Sequence, residues 1–123
     1  MCGISGAFAF TQKGQESLAK VQSANQALIK RGPDGGDVYT HTQVALGHRR
    51  LSIIDVSCAG GQPMHTVDGR FSIVFNGEIF NFQQLREQYL TKEEQLQLRS
   101  HSDTEIFLLL FQKLEESAFD LLQ

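Results

Sequence analysis

The chain has 123 residues, 41% hydrophobic and 20% charged, with a formal net charge of −3, a balance that suits one domain or part of one and argues against disorder. Its 11 basic residues are scattered and no apolar run is long enough to span a bilayer, so neither nucleic acid nor a membrane is expected as a partner. The start lacks the order of a signal peptide, and two cysteines, Cys2 and Cys58, do not make a disulfide scaffold, which fits a reducing, cytoplasmic setting. The four histidines lie far apart without metal-ligand spacing, so no metal is expected.

In residues 2–10 the larger apolar side chains Ile4, Phe8 and Phe10 take even positions, and the small Gly3, Ser5, Ala7 and Ala9 take odd ones. This alternation predicts a strand whose small face admits a close layer, with Cys2 at the start of an inner strand. TQKGQ (11–15) reads as a turn. Leu18, Val21, Asn25, Leu28 and Ile29 are spaced as one stripe of a helix lying on a sheet, and RGPDGG (31–36) breaks that helix. Strands around 38–40 and 44–47 follow, joined by a polar turn at 41–43. Leu51, Ile53 and Ile54 read as a further buried piece, and SCAGGQPM (57–64) as a loop.

FSIVFNGEIFN (71–81) reads as a strand, an Asn-Gly turn and a new element, since NG between apolar runs is a strong hairpin signal. Asn81 is placed to cap a helix carrying Leu85 and Tyr89. TKEEQLQLR is polar and shows no clear pattern. Ser102-Asp103-Thr104-Glu105 has the S-x-x-E form of a capping box and predicts a helix running to Leu114. Strands and helices are mixed, with antiparallel hairpins at the front, which places the fold in the α+β class. No closing strand precedes Gln123, so the chain is expected to be a fragment, or else to take its last layer from elsewhere, with an unpaired sheet edge.

Cys2 carries the most distinctive chemistry. Removal of Met1 would put a thiol and an α-amine on one residue, and an α-amine titrates near working pH. It can take the thiol proton and return it to a leaving group, so one residue supplies nucleophile, acid and base. The sequence retains Met1 and so represents the unprocessed form. Asn76 and Gly77 could offer two N–H donors to an oxyanion, or form an ordinary turn, with the Glu78 carboxylate beside them. Arg50 could grip a substrate carboxylate with its fork, or be a surface arginine beside Arg49. Asp103 could meet a substrate ammonium, or serve only the first turn of its helix.

MCGISGAFAF, RGPDG, GHRRLSIID, GGQPM, FNGEIFN and SDTE occur here in one order. In that order and spacing they resemble the amino-terminal glutaminase domain of glutamine-dependent asparagine synthetases. This is the class II glutamine amidotransferase branch of the N-terminal-nucleophile (Ntn) hydrolases, and the resemblance covers essentially residues 1–123. It implies an α+β Ntn-hydrolase fold, a four-layer αββα sandwich of two antiparallel sheets, with the carboxyl-terminal part missing here.

The resemblance further implies that Cys2 attacks the side-chain amide of glutamine and that Asn76 and Gly77 form the oxyanion hole. Arg50 would hold the substrate carboxylate, Asp103 with Glu78 its ammonium, and the main chain at Ile53 and Ile54 would line the pocket. The loop at 31–35 would brace it. Glutamate and ammonia would leave through a glutamyl thioester. No cofactor is implied for this chain. ATP and Mg are expected only in the synthetase domain, the absent carboxyl-terminal partner that would use the ammonia for asparagine synthesis. An alternative from another class is a non-catalytic fragment or interaction module, open to self-association through its free sheet edge.

Overall fold

The computed structural model describes residues 2–52 and 58–123, the Cys58 side chain excepted, so Met1, Ile53 and Ile54 lie outside the described residues. The chain forms two compact units. One comprises Met1–Ile53, Gly61–Met64 and Ile73–Asn76; the other comprises Ile54–Gly60, His65–Ser72 and Gly77–Gln123.

The first unit is built from β1 (Gly3–Phe8), α1 (Gln12–Leu18), α2 (Lys20–Ala27), β2 (Gly35–His41) and β3 (Val44–Arg50). The strands form an antiparallel sheet in the order β1-β3-β2. Gly3 faces Arg49 and Phe8 faces Val44 across β1 and β3, while Gly35 faces Arg50 across β2 and β3. The small-residue face takes the helices: Ala9 and Ala45 are buried with Leu18 and Val21, and Ala7 and Val38 pack against them. Burying Leu18 and Val21 contributes about 1.5–3 kcal/mol each. The approach is close because Gly47 has no Cβ. A methyl there would press on Ser5 Oγ and on Asn25, the residue whose amide donates to the Asp37 carbonyl at 3.3 Å.

Three expectations change here. TQKGQ is not a turn: Thr11 caps α1 by accepting from the Gly14 N–H at 3.1 Å, and residues 12–15 are already helical. The single helical stripe is two helices divided at Ala19, and α2 ends at Ala27. Leu18, Val21 and Asn25 are therefore buried, whereas Ile29, beyond the helix, is 48% exposed. Finally, β1 pairs only with β3 among the described residues and forms an edge rather than an inner strand. Its even-numbered face is open, with Phe8 56% exposed.

The second unit contains α3 (Phe82–Tyr89), α4 (Lys92–Leu96), α5 (Asp103–Leu114) and two 3-10 helices, Cys58–Gly60, within the stretch expected as a loop, and Glu115–Leu121. α5 ends at Leu114, as the sequence predicts. Its Ile106, Phe107, Leu108 and Leu110 are buried, as are Ile79, Leu85 and Leu90. Phe71, Phe107, Phe111 and Phe119 meet edge to face with centroids 5.3–6.3 Å apart, each pair adding about 0.5–1.5 kcal/mol beyond burial. α4 comes from the stretch without a pattern, and it opens on a complete capping box between Thr91 and Glu94.

β4 (Met64–His65) and β5 (Ser72–Ile73) form a two-stranded sheet. The hairpin therefore lies upstream of the Asn-Gly pair, around the Thr66–Phe71 main-chain bond at 3.0 Å. Among the described residues no strand follows Asn76-Gly77, because the next N–H groups are taken elsewhere. Ile79 N donates to the Asp103 carboxylate at 2.9 Å and Phe80 N to the Gln123 carbonyl at 2.8 Å. Asn81 occupies the N-cap position of α3 but makes no side-chain cap bond. Its amide donates to the Leu121 carbonyl at 2.7 Å and accepts from Gln123 N at 3.1 Å.

The mixed α+β class with two sheets agrees with the sequence expectation. Among the described residues, no helix is long and apolar enough to cross a membrane.

Candidate active site

In the first unit the site is assembled where β1 begins and β3 ends. Because Gly3 pairs with Arg49, the antiparallel register carries Cys2 alongside the residues that follow β3. The Leu51 N–H donates to Cys2 Sγ at 3.3 Å, and the thiol in turn lies 3.6 Å from the Leu51 carbonyl. Cys2 is half-buried. A main-chain donor and acceptor on one residue thus fix the sulfur against the strand end.

The RGPD loop joins both sides of this corner. Arg31 Nε donates to the Cys2 carbonyl at 3.3 Å. Asp34 N donates to the Arg50 carbonyl at 3.0 Å, and the Asp34 carboxylate accepts from Ser52 N at 2.8 Å. Pro33 bridges Arg50 in parallel fashion. The loop comes this close because position 32 is glycine, where an added Cβ would run into the Arg49 carbonyl carbon and the Arg50 nitrogen. Arg50 itself is half-buried at the end of β3.

His48, two residues earlier on β3, is 1% exposed. Neither ring nitrogen has a well-aligned hydrogen bond. Burial lowers its pKa from 6.5 to about 4, the Arg50 charge acting in the same sense and the nearby Phe75 main chain opposing it. This histidine is neutral at pH 7. Phe75 N is held by the Gln62 side-chain carbonyl at 2.6 Å, and Asn76 follows it exposed.

In the second unit Asp103 opens α5 and is 5% exposed. One oxygen accepts from Ile79 N at 2.9 Å, and the other from Thr104 N at 2.7 Å and the Thr104 hydroxyl at 3.3 Å. Asp103 thereby anchors the chain just after Gly77 and Glu78, both exposed. Glu105 departs from its expected part. Ser102 caps α5 by accepting from Glu105 N at 3.2 Å. The Glu105 carboxylate, however, turns upstream and accepts from Ser100 N and Ser100 Oγ at 2.7 Å each, and from Arg99 N at 3.0 Å.

The structure thus brings together Cys2, the 31–34 loop and residues 50–52 in one unit, and Asp103 with 77–79 in the other. Ile53 and Ile54 lie outside the described residues. The sequence reading missed Leu51 as the partner of the thiol, because a main-chain role leaves no mark on residue type. In the sequence Asp34 stands out only as a letter of the RGPDG motif, yet its carboxylate ties the loop to Ser52. Among the described residues no group of three or more His, Cys, Asp or Glu side chains is arranged to hold a metal ion.

The family model described as a glutamine amidotransferase domain matches residues 1–123. Asparagine synthetase [glutamine-hydrolyzing] 1 of Bacillus subtilis is 39% identical over 122 residues, which are 96% of this chain and 18% of the relative. Asparagine synthetase B [glutamine-hydrolyzing] of Escherichia coli is 35% identical over 100% of this chain and 22% of its own length. Asparagine synthetase [glutamine-hydrolyzing] 2 of Arabidopsis thaliana is 32% identical over 99% of this chain and 20% of its own. The chain spans about a fifth of the length of these relatives. It belongs to the glutamine amidotransferase domain family, in the form carried by glutamine-hydrolysing asparagine synthetases.

Proposed function

We propose that residues 1–123 act as one glutamine amidotransferase domain that hydrolyses the side-chain amide of glutamine, with Cys2 as nucleophile. The observation that carries this reading is the half-buried Cys2 thiol bonded to the Leu51 main chain, with its own carbonyl held by Arg31. Once Met1 is removed, the freed α-amine takes the thiol proton as sulfur adds to the amide carbon. The amine then passes that proton to the departing nitrogen, the C–N bond breaks and ammonia leaves. Water cleaves the remaining thioester, giving glutamate and restoring the thiol.

The same proposal assigns oxyanion donation to Asn76 and Gly77, the substrate carboxylate to Arg50 and its ammonium to Asp103 and Glu78. Ile53 and Ile54 line the pocket in this reading. In a longer protein of the relatives' kind, the ammonia would serve a synthetase domain that uses ATP and Mg to make asparagine. A free catalytic thiol also suits a reducing, cytoplasmic compartment.

A second reading draws on the open apolar face of β1, where Ile4 is 48% and Phe8 56% exposed. On it the chain is an interaction module that self-associates through a sheet edge and releases no ammonia. Intact mass before and after a glutamine-analogue electrophile separates the two. The catalytic reading expects loss of Met1 and one adduct, on Cys2. An adduct on Cys58, or none after Met1 is lost, defeats it.

A further inference from the structure

Within the second unit, α3, α4 and the stretch 98–106 enclose a cleft of about 410 Å³, a size that holds small molecules. Phe82, Leu98 and Ile106 give it apolar walls, and Arg86 and Glu87 bring opposite charges to it from adjacent positions on α3. The helices that frame it are tied together. Gln95 Nε2 donates to the carbonyls of Arg86 at 3.2 Å and Leu90 at 3.0 Å.

Arg86 is the unusual member. Its Nε is buried without a hydrogen-bond partner, and no ion pair reaches it among the described residues. Elsewhere in this unit Arg99 donates to the His65 carbonyl and pairs with Glu105, and Lys113 reaches the Tyr89 carbonyl and Glu94. Buried N–H groups are nearly always satisfied. The last turn of α3 favours a positive charge, but that field offers Nε no acceptor. Glu87 is exposed and also lacks an ion pair among the described residues.

We propose that this cleft binds a free α-amino acid with an apolar side chain. Its carboxylate meets the planar fork of Arg86, its ammonium meets Glu87, and its side chain lies against Phe82, Leu98 and Ile106. A simple anion would meet the opposing charge of Glu87, and a simple amine that of Arg86; a zwitterion complements both through the accessible end of the guanidinium and the exposed carboxylate. None of these residues belongs to the set assigned to glutamine hydrolysis, so this is a second amino-acid site.

The test is a titration of the ¹⁵N-labelled full chain with L-leucine, read at the Arg86 Nε–Hε resonance and at the main-chain amides of 83–87 and 98–101. Isocaproate, which lacks the ammonium, and isoamylamine, which lacks the carboxylate, are the comparison ligands. L-leucine is expected to give a saturating shift at these positions, with both comparison ligands weaker. Arg86→Gln and Glu87→Gln are each expected to weaken binding by roughly tenfold or more, the loss of one charged hydrogen bond. Glu87 is exposed, so Glu87→Gln keeps the fold and reports even if Arg86→Gln does not. No saturating shift, equal affinity for either comparison ligand, or unchanged affinity in Glu87→Gln overturns the proposal.

Discussion

The Cys2 sulfur accepts a hydrogen bond from the Leu51 N–H at 3.3 Å and lies 3.6 Å from the carbonyl of the same residue. Two residues 49 positions apart thus share one corner at the paired ends of β1 and β3. Since sulfur is a weak partner in both contacts, their loss has little structural cost. Cys2→Ala is expected to abolish labelling by a glutamine-directed electrophile and to lower stability by only about 1 kcal/mol. Electrophile adduct mass and denaturant unfolding check the two halves.

Gly32 holds the loop against β3 more tightly than any larger residue allows. Gly32→Ala should push the loop away from Arg49 and Arg50 and loosen the bonds from Arg31 to Cys2 and from Asp34 to Arg50. The expected outcome is a loss of roughly 2–4 kcal/mol, the range of a backbone clash with no room to relax, together with loss of Cys2 labelling. Urea midpoints compared with wild type measure the first.

Arg50 and lysine differ in more than size, since lysine keeps the charge but loses the fork. If Arg50 holds the glutamine carboxylate, Arg50→Lys weakens glutamine binding by about 1–3 kcal/mol, the scale of a charged hydrogen bond. KM and kcat/KM for glutamine in an active preparation read this directly. Unchanged values would remove Arg50 from the site.

Asp103 accepts main-chain N–H bonds on both of its oxygens. Asn at this position has only one carbonyl oxygen, so one of those buried donors must go unpaired. Asp103→Asn is expected to cost about 1–3 kcal/mol and to speed hydrogen exchange at Ile79 or Thr104. Amide exchange followed by NMR locates which bond is lost.

His48 makes the fold sensitive to acid. Its pKa is about 4 in the folded chain and 6.5 without burial. Between those values the unfolded state binds more protons, so stability falls as pH drops from about 6.5 and levels off below about 4, by about 3 kcal/mol in all. Above pH 7 this contribution is flat. His48→Gln should remove that part of the acid slope, as seen by subtracting its pH–stability curve from that of wild type.

Much of the fold could be read from local pattern. The period-two alternation of residues 2–10 announced β1, and the Ser102 cap with its apolar run announced α5 to its last residue. Six ordered motifs pointed to the family that the whole-chain match then showed. Helix α4 carries an equally local signal, the T-x-x-E box of Thr91 and Glu94, but its stretch lacks the apolar stripe that marks a helix from pattern alone.

What the sequence by itself determined, then, was the kind of several elements, β1 and α5 among them, and the chemical family, since period, caps and motifs act over a few neighbouring residues. Tertiary structure alone decided where versatile polar groups are satisfied. Asn81 had the right position to cap α3, yet its amide went to Leu121 and Gln123, about forty residues away. Glu105 left its expected box for Ser100 and Arg99, and Ile79 gave its N–H to Asp103 where a hairpin was expected. An amide or carboxylate pairs with whichever main-chain group packing brings within 3 Å or so, and long-range packing leaves no trace in local spacing.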